Sequence, residues 1–329
     1  MNNRAHTWAL ILAAGEGSRL RSLTTTTSGI VVPKQFCSLY GGPSLLQDAL
    51  LRASRVAPLQ RVCVIVASQH RRWWENTLEG LPERNVVVQP ENRGTANGIL
   101  MPLMHILARD PEASVVVLPA DHYLRDEATF ANSLRAAAAF ATASPDVIYL
   151  LGIEPDTPDT ELGYIVPVER GAYGVAHVQR FVEKPTLTLA QALRNQGALW
   201  NTFIIAASVR RFIAVYEARF AAAAREMRAL AKTRFGTRRS ASAVISLYKR
   251  LTPIDFSRDV LEGQEAMLRV LTVAACGWTD LGTPARVART LQQWPDPVRD
   301  TNRSWPGQSY LNLSSQYARP AMTAGDPRA

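Results

Sequence analysis

Trp8-Ala-Leu-Ile-Leu-Ala-Ala-Gly15-Glu-Gly17-Ser-Arg19-Leu20 is the stretch that decides how this chain is read. An apolar run ending in small residues and two glycines has the pattern of a buried strand that breaks into a loop. Glycines at such a break let backbone N–H groups approach a phosphate with no side chain in the way, which makes Gly15 and Gly17 candidate ligand contacts. Fifteen positions after Arg19 comes Lys34, in Pro33-Lys34-Gln35-Phe36. Arg19 and Lys34 supply the two cations that a polyphosphate needs.

Spacing separates this loop from two better-known phosphate loops. A dinucleotide turn needs a third glycine where Leu20 stands. A Walker loop needs Gly-Lys followed by Ser or Thr, and no such pair follows these glycines. A plain strand-to-helix turn remains, and Arg19 with the Pro-Lys-Gln element argues against it.

At 329 residues and 47% hydrophobic, the chain has ample material for a packed core. Its net charge of +9 is spread along the chain, without a dense basic block or a recognisable nucleic-acid motif. Scattered positive charge of this kind suits a solvated surface or attraction for small anions, so no nucleic-acid partner is expected. Cys37, Cys63 and Cys276 are widely spaced, which argues against a disulfide framework or a cysteine zinc site and for a reducing compartment. The apolar octet after Met-Asn-Asn-Arg is read as the first strand, since it runs into Gly-Glu-Gly rather than a cleavage site. No apolar run approaches the ~18 residues of a membrane span. A cytoplasmic location with no membrane partner is the expectation.

Short β-branched runs at 9–13, 62–67, 86–89, 115–120 and 147–153 alternate with helical patterns. Ser44-Leu-Leu-Gln47 opens one helix as a capping box, and 95–108 and 129–143 are further helices. This βαβα alternation predicts an α/β, doubly wound, mostly parallel sheet with ligands at the carboxyl ends of its strands. From Leu162 onward, Gly163–Pro167 and 175–182 read as a small β-rich insertion. Helices follow near 209–232 and 240–251, then a strand at 270–275 and a helix at 284–294. The expected division is one domain over residues 1–295 and a polar Pro/Arg-rich C-terminal tail over 296–329.

Four further segments carry chemistry. Asp121, in Leu118-Pro-Ala-Asp121-His122, ends a buried strand, where it either caps the next segment or holds a hard cation such as Mg²⁺. Asp280, in Gly277-Trp278-Thr-Asp280-Leu-Gly282, again follows a strand on a glycine-flanked turn. Two such aspartates converging on one crevice would give Mg²⁺ two oxygens and leave its other positions to phosphate and water. Gln89-Pro-Glu-Asn-Arg93-Gly94-Thr95 opens a helix whose free N–H groups suit a base. Phe181-Val-Glu183-Lys184-Pro185, with Trp200-Asn201 downstream, offers a cation beside hydrogen-bonding side chains.

Together, G-x-G-x-R-L…P-K-Q-F, the Asp121 segment, Arg93-Gly-Thr-Ala, Glu183-Lys184-Pro185 and Gly-Trp-Thr-Asp280-Leu-Gly resemble the signature of the sugar-phosphate nucleotidyltransferases. Among these the pattern is most similar to the mannose-1-phosphate guanylyltransferases. The resemblance implies a Rossmann-like nucleotidyltransferase fold and transfer of GMP from GTP to a sugar 1-phosphate, foremost mannose 1-phosphate, giving GDP-mannose and pyrophosphate. It implies that Ala13, Ala14, Gly15, Gly17, Gln89, Gly94 and Thr95 bind nucleotide, while Arg19, Lys34 and Lys184 neutralise phosphate during catalysis. Gly163, Glu183, Lys184 and Asn201 would bind the sugar phosphate, with Asp121 and Asp280 on Mg²⁺. Transfer from UTP, dTTP or CTP, or a non-catalytic subunit that binds nucleotide sugars, stays open, and a homo-oligomer is compatible with the sequence. Ser22–Val32 is longer than the family's interval, so an altered phosphate lid is expected. Thr202-Phe203 stands where the family has a small residue and then Gly, so an altered sugar pocket is expected too.

Overall fold

The computed structural model describes residues 5–168, 174–231 and 238–293. The expected tail at 296–329 lies outside these residues. One nine-stranded sheet organises the rest, in the order β3-β2-β1-β4-β8-β5-β9-β7-β6. The strands are β1 (Thr7–Ala13), β2 (Val62–Ala67), β3 (Val86–Gln89), β4 (Ser114–Pro119), β5 (Ile148–Ile153), β6 (Tyr164–Pro167), β7 (Val175–Val182), β8 (Leu199–Ser208) and β9 (Leu268–Thr272).

Both faces of the sheet are covered, and the pleat divides each strand between two cores. Ala9, Ile11 and Ala13 of β1, with Val116 and Leu118 of β4, join the core under the helices Leu45–Ser54 and Glu127–Ala143. Trp8 and Leu10, with Val115 and Val117, join the core under Gly94–Arg109 and Val209–Ala231. A strand buried on both faces must be apolar at every position, which is why these runs show no alternation. The capping box at Ser44 forms as expected, with Gln47 N–H on the Ser44 hydroxyl and Ser44 N–H on the Gln47 side chain.

The sheet is not mostly parallel. Parallel pairing holds for β1 with β2 and β4, for β2 with β3 and for β5 with β9. The other five ladders are antiparallel. Three of these five involve β8, which the sequence reading did not expect as a strand, and the other two involve β7. β8 lies in the middle of the sheet and runs antiparallel to both β4 and β5. The expected β-rich insertion is part of the same sheet, since β6 pairs with β8 and β7 with β9.

In the order β3-β2-β1-β4 the chain reverses direction of growth between β1 and β4, and a ligand crevice belongs outside the carboxyl ends of strands at such a point. The register between β5 and β8 slips from Leu150–Ile205 to Gly152–Asn201, so residues 202–204 bulge out of the ladder. A bulge re-aims side chains, and here it turns Asn201, Thr202 and Phe203 toward the same crevice. Among the described residues no helix is long and apolar enough to cross a membrane. Cys37, Cys63 and Cys276 are buried free thiols, pushed by that burial up to about 12, 12 and 11.

Candidate active site

A cleft of about 350 Å³ opens at this point. Ala14, Gly15, Arg19, Lys34, Gln89, Gly94, Thr95, Asp121, Gly163, Glu183, Lys184, Asn201 and Asp280 all line it. Of the residues expected at the site, Ala13 and Gly17 do not line it. Ala13 ends β1 with 1% of its surface exposed, and its carbonyl accepts from Gln35 Nε2 at 2.9 Å. Gly17 sits at φ +61°, and a Cβ there would lie 3.0 Å from the Lys34 backbone nitrogen. Both residues shape the loop from behind. Gln35 holds the loop closed with a second bond to the Gly15 carbonyl at 2.9 Å.

Lys34 is the hub of the side that carries Asp121 and Asp280. Its side chain is buried, its Nζ pairs with Asp121 Oδ2 at 2.8 Å, and it donates to the Asp280 carbonyl at 2.6 Å. A backbone bridge between Tyr123 and Thr279 ties the two aspartate segments together. Burial opposes ionisation of Asp121, and Lys34 together with His122 outweighs it, so its carboxyl stays below the ordinary carboxylate range. Asp280 is likewise held low against burial by Arg286 and Lys34. His122 is buried and titrates near 4, mainly through that burial. Its Nδ1 accepts from Trp278 Nε1 at 3.3 Å, so it is a neutral wall residue with its proton on Nε2.

Among the described residues no three His, Cys, Asp or Glu side chains group closely enough to hold a metal by themselves. The donor set nevertheless fits a divalent hard cation. Two ionised carboxylates face one cleft, and a cation of the Mg²⁺ type takes one or two protein carboxylates and fills its sphere with phosphate and water.

Arg19 reaches the cleft from the exposed side, where its Nη1 pairs with Glu161 Oε2 at 2.6 Å. Asp280 is engaged through Oδ1 by Arg286, whose Nη2 pairs with Asp159 Oδ2 at 2.5 Å. Sequence reading missed Glu161, Asp159 and Arg286, since no motif or periodicity marks them. The Ser22–Val32 segment contributes nothing to the cleft lining. It folds on itself through a Thr25–Val31 bridge, with Gly29 at φ +80° in the turn.

On the opposite wall Glu183 lies against the backbone of Gly163, where an added Cβ would be 2.6 Å from its Oε2. A side chain at Gly163 would displace the Glu183 carboxylate from its present position. Burial, reinforced by the charge of Asp255, raises Glu183 to about 7, against the pull of Lys184 and a hydrogen bond from Ser257. Asp255 and Ser257 line the cleft too, from a segment that sequence reading did not place there. Asn201 N–H donates to the Gly163 carbonyl at 2.8 Å, and its Oδ1 accepts from Phe203 N–H at 3.0 Å. The amide nitrogen of Asn201 is thereby oriented by its own fixed oxygen. Lys184 and Phe203 adopt φ +46° and +57°, conformations that non-glycine residues rarely take. Such backbone persists where surrounding structure over-determines it, and both residues stand at this site.

Another end of the cleft is lined by Gln89, Gly94 and Thr95. The helix start there is partly used by the protein itself. Gly94 N–H donates to Asn92 Oδ1, Ala96 N–H to the Ile254 carbonyl, and the Thr95 hydroxyl accepts from Phe256 N–H. Gly94, at φ +82°, is demanded by the Ile254 backbone, whose oxygen would sit 2.2 Å from a Cβ. Gln89 is 3% exposed and its Oε1 has no hydrogen-bond partner among the described residues.

Residues 8–293 match the family described as nucleotidyl transferase. The chain belongs to that family. It is 34% identical over 208 residues to the xanthan biosynthesis protein XanB of Xanthomonas campestris pv. campestris (strain B100), covering 62% of this chain and 42% of that protein. It is 34% identical over 218 residues to mannose-1-phosphate guanylyltransferase 2 of Escherichia coli O157:H7, covering 61% and 43%. The chain thus spans about two-fifths of the length of the curated relatives it matches. Among solved structures it is similar to mannose-1-phosphate geranyltransferase from Thermus thermophilus, with a TM-score of 0.75 and 25% identity over 88% of this chain and 80% of that one. A UDP-glucose pyrophosphorylase complexed with UDP-glucose shares the fold at a TM-score of 0.57 and 15% identity, covering 88% of this chain and 98% of that one. The family assignment agrees with the resemblance read from the motifs.

Proposed function

We propose that this chain transfers GMP from GTP to a sugar 1-phosphate, foremost mannose 1-phosphate, releasing pyrophosphate. The observation that carries this reading is the meeting, in one cleft, of the Gly15–Arg19 loop, Lys34 with Asp121, and the Glu183–Asn201 wall. The named relatives support the same chemistry. Guanine is favoured by the partnerless acceptor of Gln89, because the guanine edge presents N–H donors at N1 and N2.

In this reading the loop amides of Ala14 and Gly15 hold the triphosphate, and Arg19 leaves Glu161 to meet it. Lys34 stays in place beside Asp121 and faces the α-phosphate. Glu183 and Asn201 orient the sugar through its hydroxyls, and Lys184 faces its phosphate. The attacking phosphate oxygen is already anionic, so no general base is needed. Alignment and charge neutralisation carry the rate. Asp121 and Asp280 would hold a Mg²⁺ ion, which supplies charge neutralisation at the transferring phosphoryl group. We further propose a catalytic domain over residues 1–295 followed by a tail.

Pyrophosphate release measured over GTP, UTP, dTTP and CTP, each with several sugar 1-phosphates, tests the proposal. Release with GTP and mannose 1-phosphate supports it. Release only with another pair redirects the specificity, and none with any pair identifies a binding subunit.

A further inference from the structure

Arg286 engages the same carboxylate that would hold the metal, and it does so from within a built network. Its side chain is 13% exposed, as is that of Asp280. One guanidinium nitrogen binds Asp280 Oδ1 and the other pairs with Asp159 Oδ2. Asp159 is itself fixed. Its Oδ1 accepts from Glu161 N–H at 2.8 Å, and its own N–H donates to the hydroxyl of the fully buried Tyr164, also at 2.8 Å. Asp280 Oδ1 also accepts from Gly282 N–H at 3.1 Å. Oδ1 of Asp280 is therefore committed to the protein, and Oδ2, which lies against Gly282 so closely that an added Cβ there would be 2.4 Å away, is the oxygen outside those bonds.

The charges in this network nearly balance. Asp121, Asp159 and Asp280 bring three negative charges, and Lys34 and Arg286 bring two positive ones. Two carboxylates that would attract a divalent ion strongly are already largely neutralised by side chains. A cation held in contact with a carboxylate lowers that group's attraction for any further cation, whether proton or metal.

We propose that Arg286 is a positioning residue that sets the divalent-metal affinity of Asp280: it restricts this carboxylate to a single free oxygen and opposes the metal by its charge, to an extent governed by Asp159. The proposal rests on the reading of Asp121 and Asp280 as metal ligands. Because Asp159 shares the guanidinium, the two residues act on the metal in opposite directions. Weakening Arg286 strengthens metal binding. Neutralising Asp159 leaves Arg286 with Asp280 as its remaining carboxylate and weakens metal binding. A purely structural role for the network would give no such opposition, since both changes would loosen the same site.

The test is titration of the full-length protein with Mn²⁺, counting free ion by electron paramagnetic resonance, without nucleotide and with saturating GTP. Arg286→Gln, which keeps a hydrogen-bond donor and removes the charge, is expected to tighten Mn²⁺ binding about tenfold. Asp159→Asn is expected to weaken it several-fold. Shifts in the same direction, or none in either variant, overturn the proposal. If Arg286→Gln fails to fold, Asp159→Asn decides alone: weaker Mn²⁺ binding supports the proposal, and unchanged or tighter binding overturns it. Wild-type protein that binds no Mn²⁺ even with GTP overturns the two-carboxylate reading itself, which separates that failure from a failure of the role given to Arg286.

Discussion

The two walls of the cleft are built on different physical principles. The wall proposed to hold phosphate hangs from the ends of parallel β1 and β4, and its cations are matched with carboxylates: Lys34 with Asp121, Arg19 with Glu161, Arg286 with Asp280 and Asp159. The wall proposed to hold the sugar is carried by β7 and the bulged β8. There the left-handed backbone at Lys184 and Phe203 and a carboxyl group raised to about 7 replace paired charge. One wall is organised chiefly by paired charge, with one left-handed residue of its own at Leu281, and the other by backbone geometry and desolvation. Replacing charged groups on the first should change the chemical step, and on the second it should change sugar recognition.

The largest effect is expected where both aspartates are tested. Asp121→Ala and Asp280→Ala should each lower pyrophosphate release by about 10³-fold or more while leaving the circular dichroism spectrum intact. Near-normal turnover in either variant would remove that residue from the machinery. Lys34→Gln should lower kcat by about 10²-fold. Because it also leaves Asp121 without its counter-charge, the carboxyl of Asp121 should titrate higher, visible as an acid-limb shift of the kcat profile toward higher pH.

On the sugar wall, Glu183→Gln should raise KM for the sugar 1-phosphate about tenfold with a smaller change in kcat, and flatten the dependence of that KM on pH around 7. The same variant carries a stability signature. Glu183 titrates near 7 when folded and near its ordinary 4.5 when unfolded, so the folded protein keeps a proton over that window which the unfolded chain has lost. Stability therefore falls as pH rises from 4.5 to 7, by about 3 kcal/mol, and the Gln variant avoids the loss. Its thermal midpoint should exceed the wild type at pH 8 and match it at pH 5. An equal offset at both values would contradict the raised carboxyl.

The smallest effect belongs to Glu161. An exposed ion pair contributes about 0.2–1 kcal/mol, so freeing Arg19 by Glu161→Gln should lower the GTP KM about two- to threefold at low salt. The difference should vanish at high ionic strength. A rise in KM would mean that Glu161 contacts the nucleotide rather than waiting on Arg19.

Much of the phosphate wall was legible in the chain. Thr7–Ala13, Val62–Ala67 and Val86–Gln89 are short apolar runs bounded by turn residues, and they became strands close to the expected limits. β8 was not legible. Leu-Trp-Asn-Thr-Phe-Ile-Ile-Ala-Ala-Ser has polar residues in its middle and no alternation. It is a strand because β4 and β5 flank it, and its polar centre is the bulge that opens onto the cleft. Asp255 and Ser257 were hidden for a similar reason, since they arrive through contacts of Ile254 and Phe256 with the start of a helix some 160 residues earlier.

Local chemistry is written in the order of residues: where strands break into glycine turns, which cations follow, and which carboxylates end strands. Those properties depend on a few neighbouring residues, through backbone freedom and apolar patterning. The direction of β8, the absence of Ala13 and Gly17 from the cleft lining and the partner of each charge follow instead from packing between distant segments. Arg19 meets Glu161 across 142 positions, and Arg286 meets Asp159 across 127. Coulomb attraction between side chains depends on distance in space, and at such separations along the chain nothing but the packed sheet sets that distance.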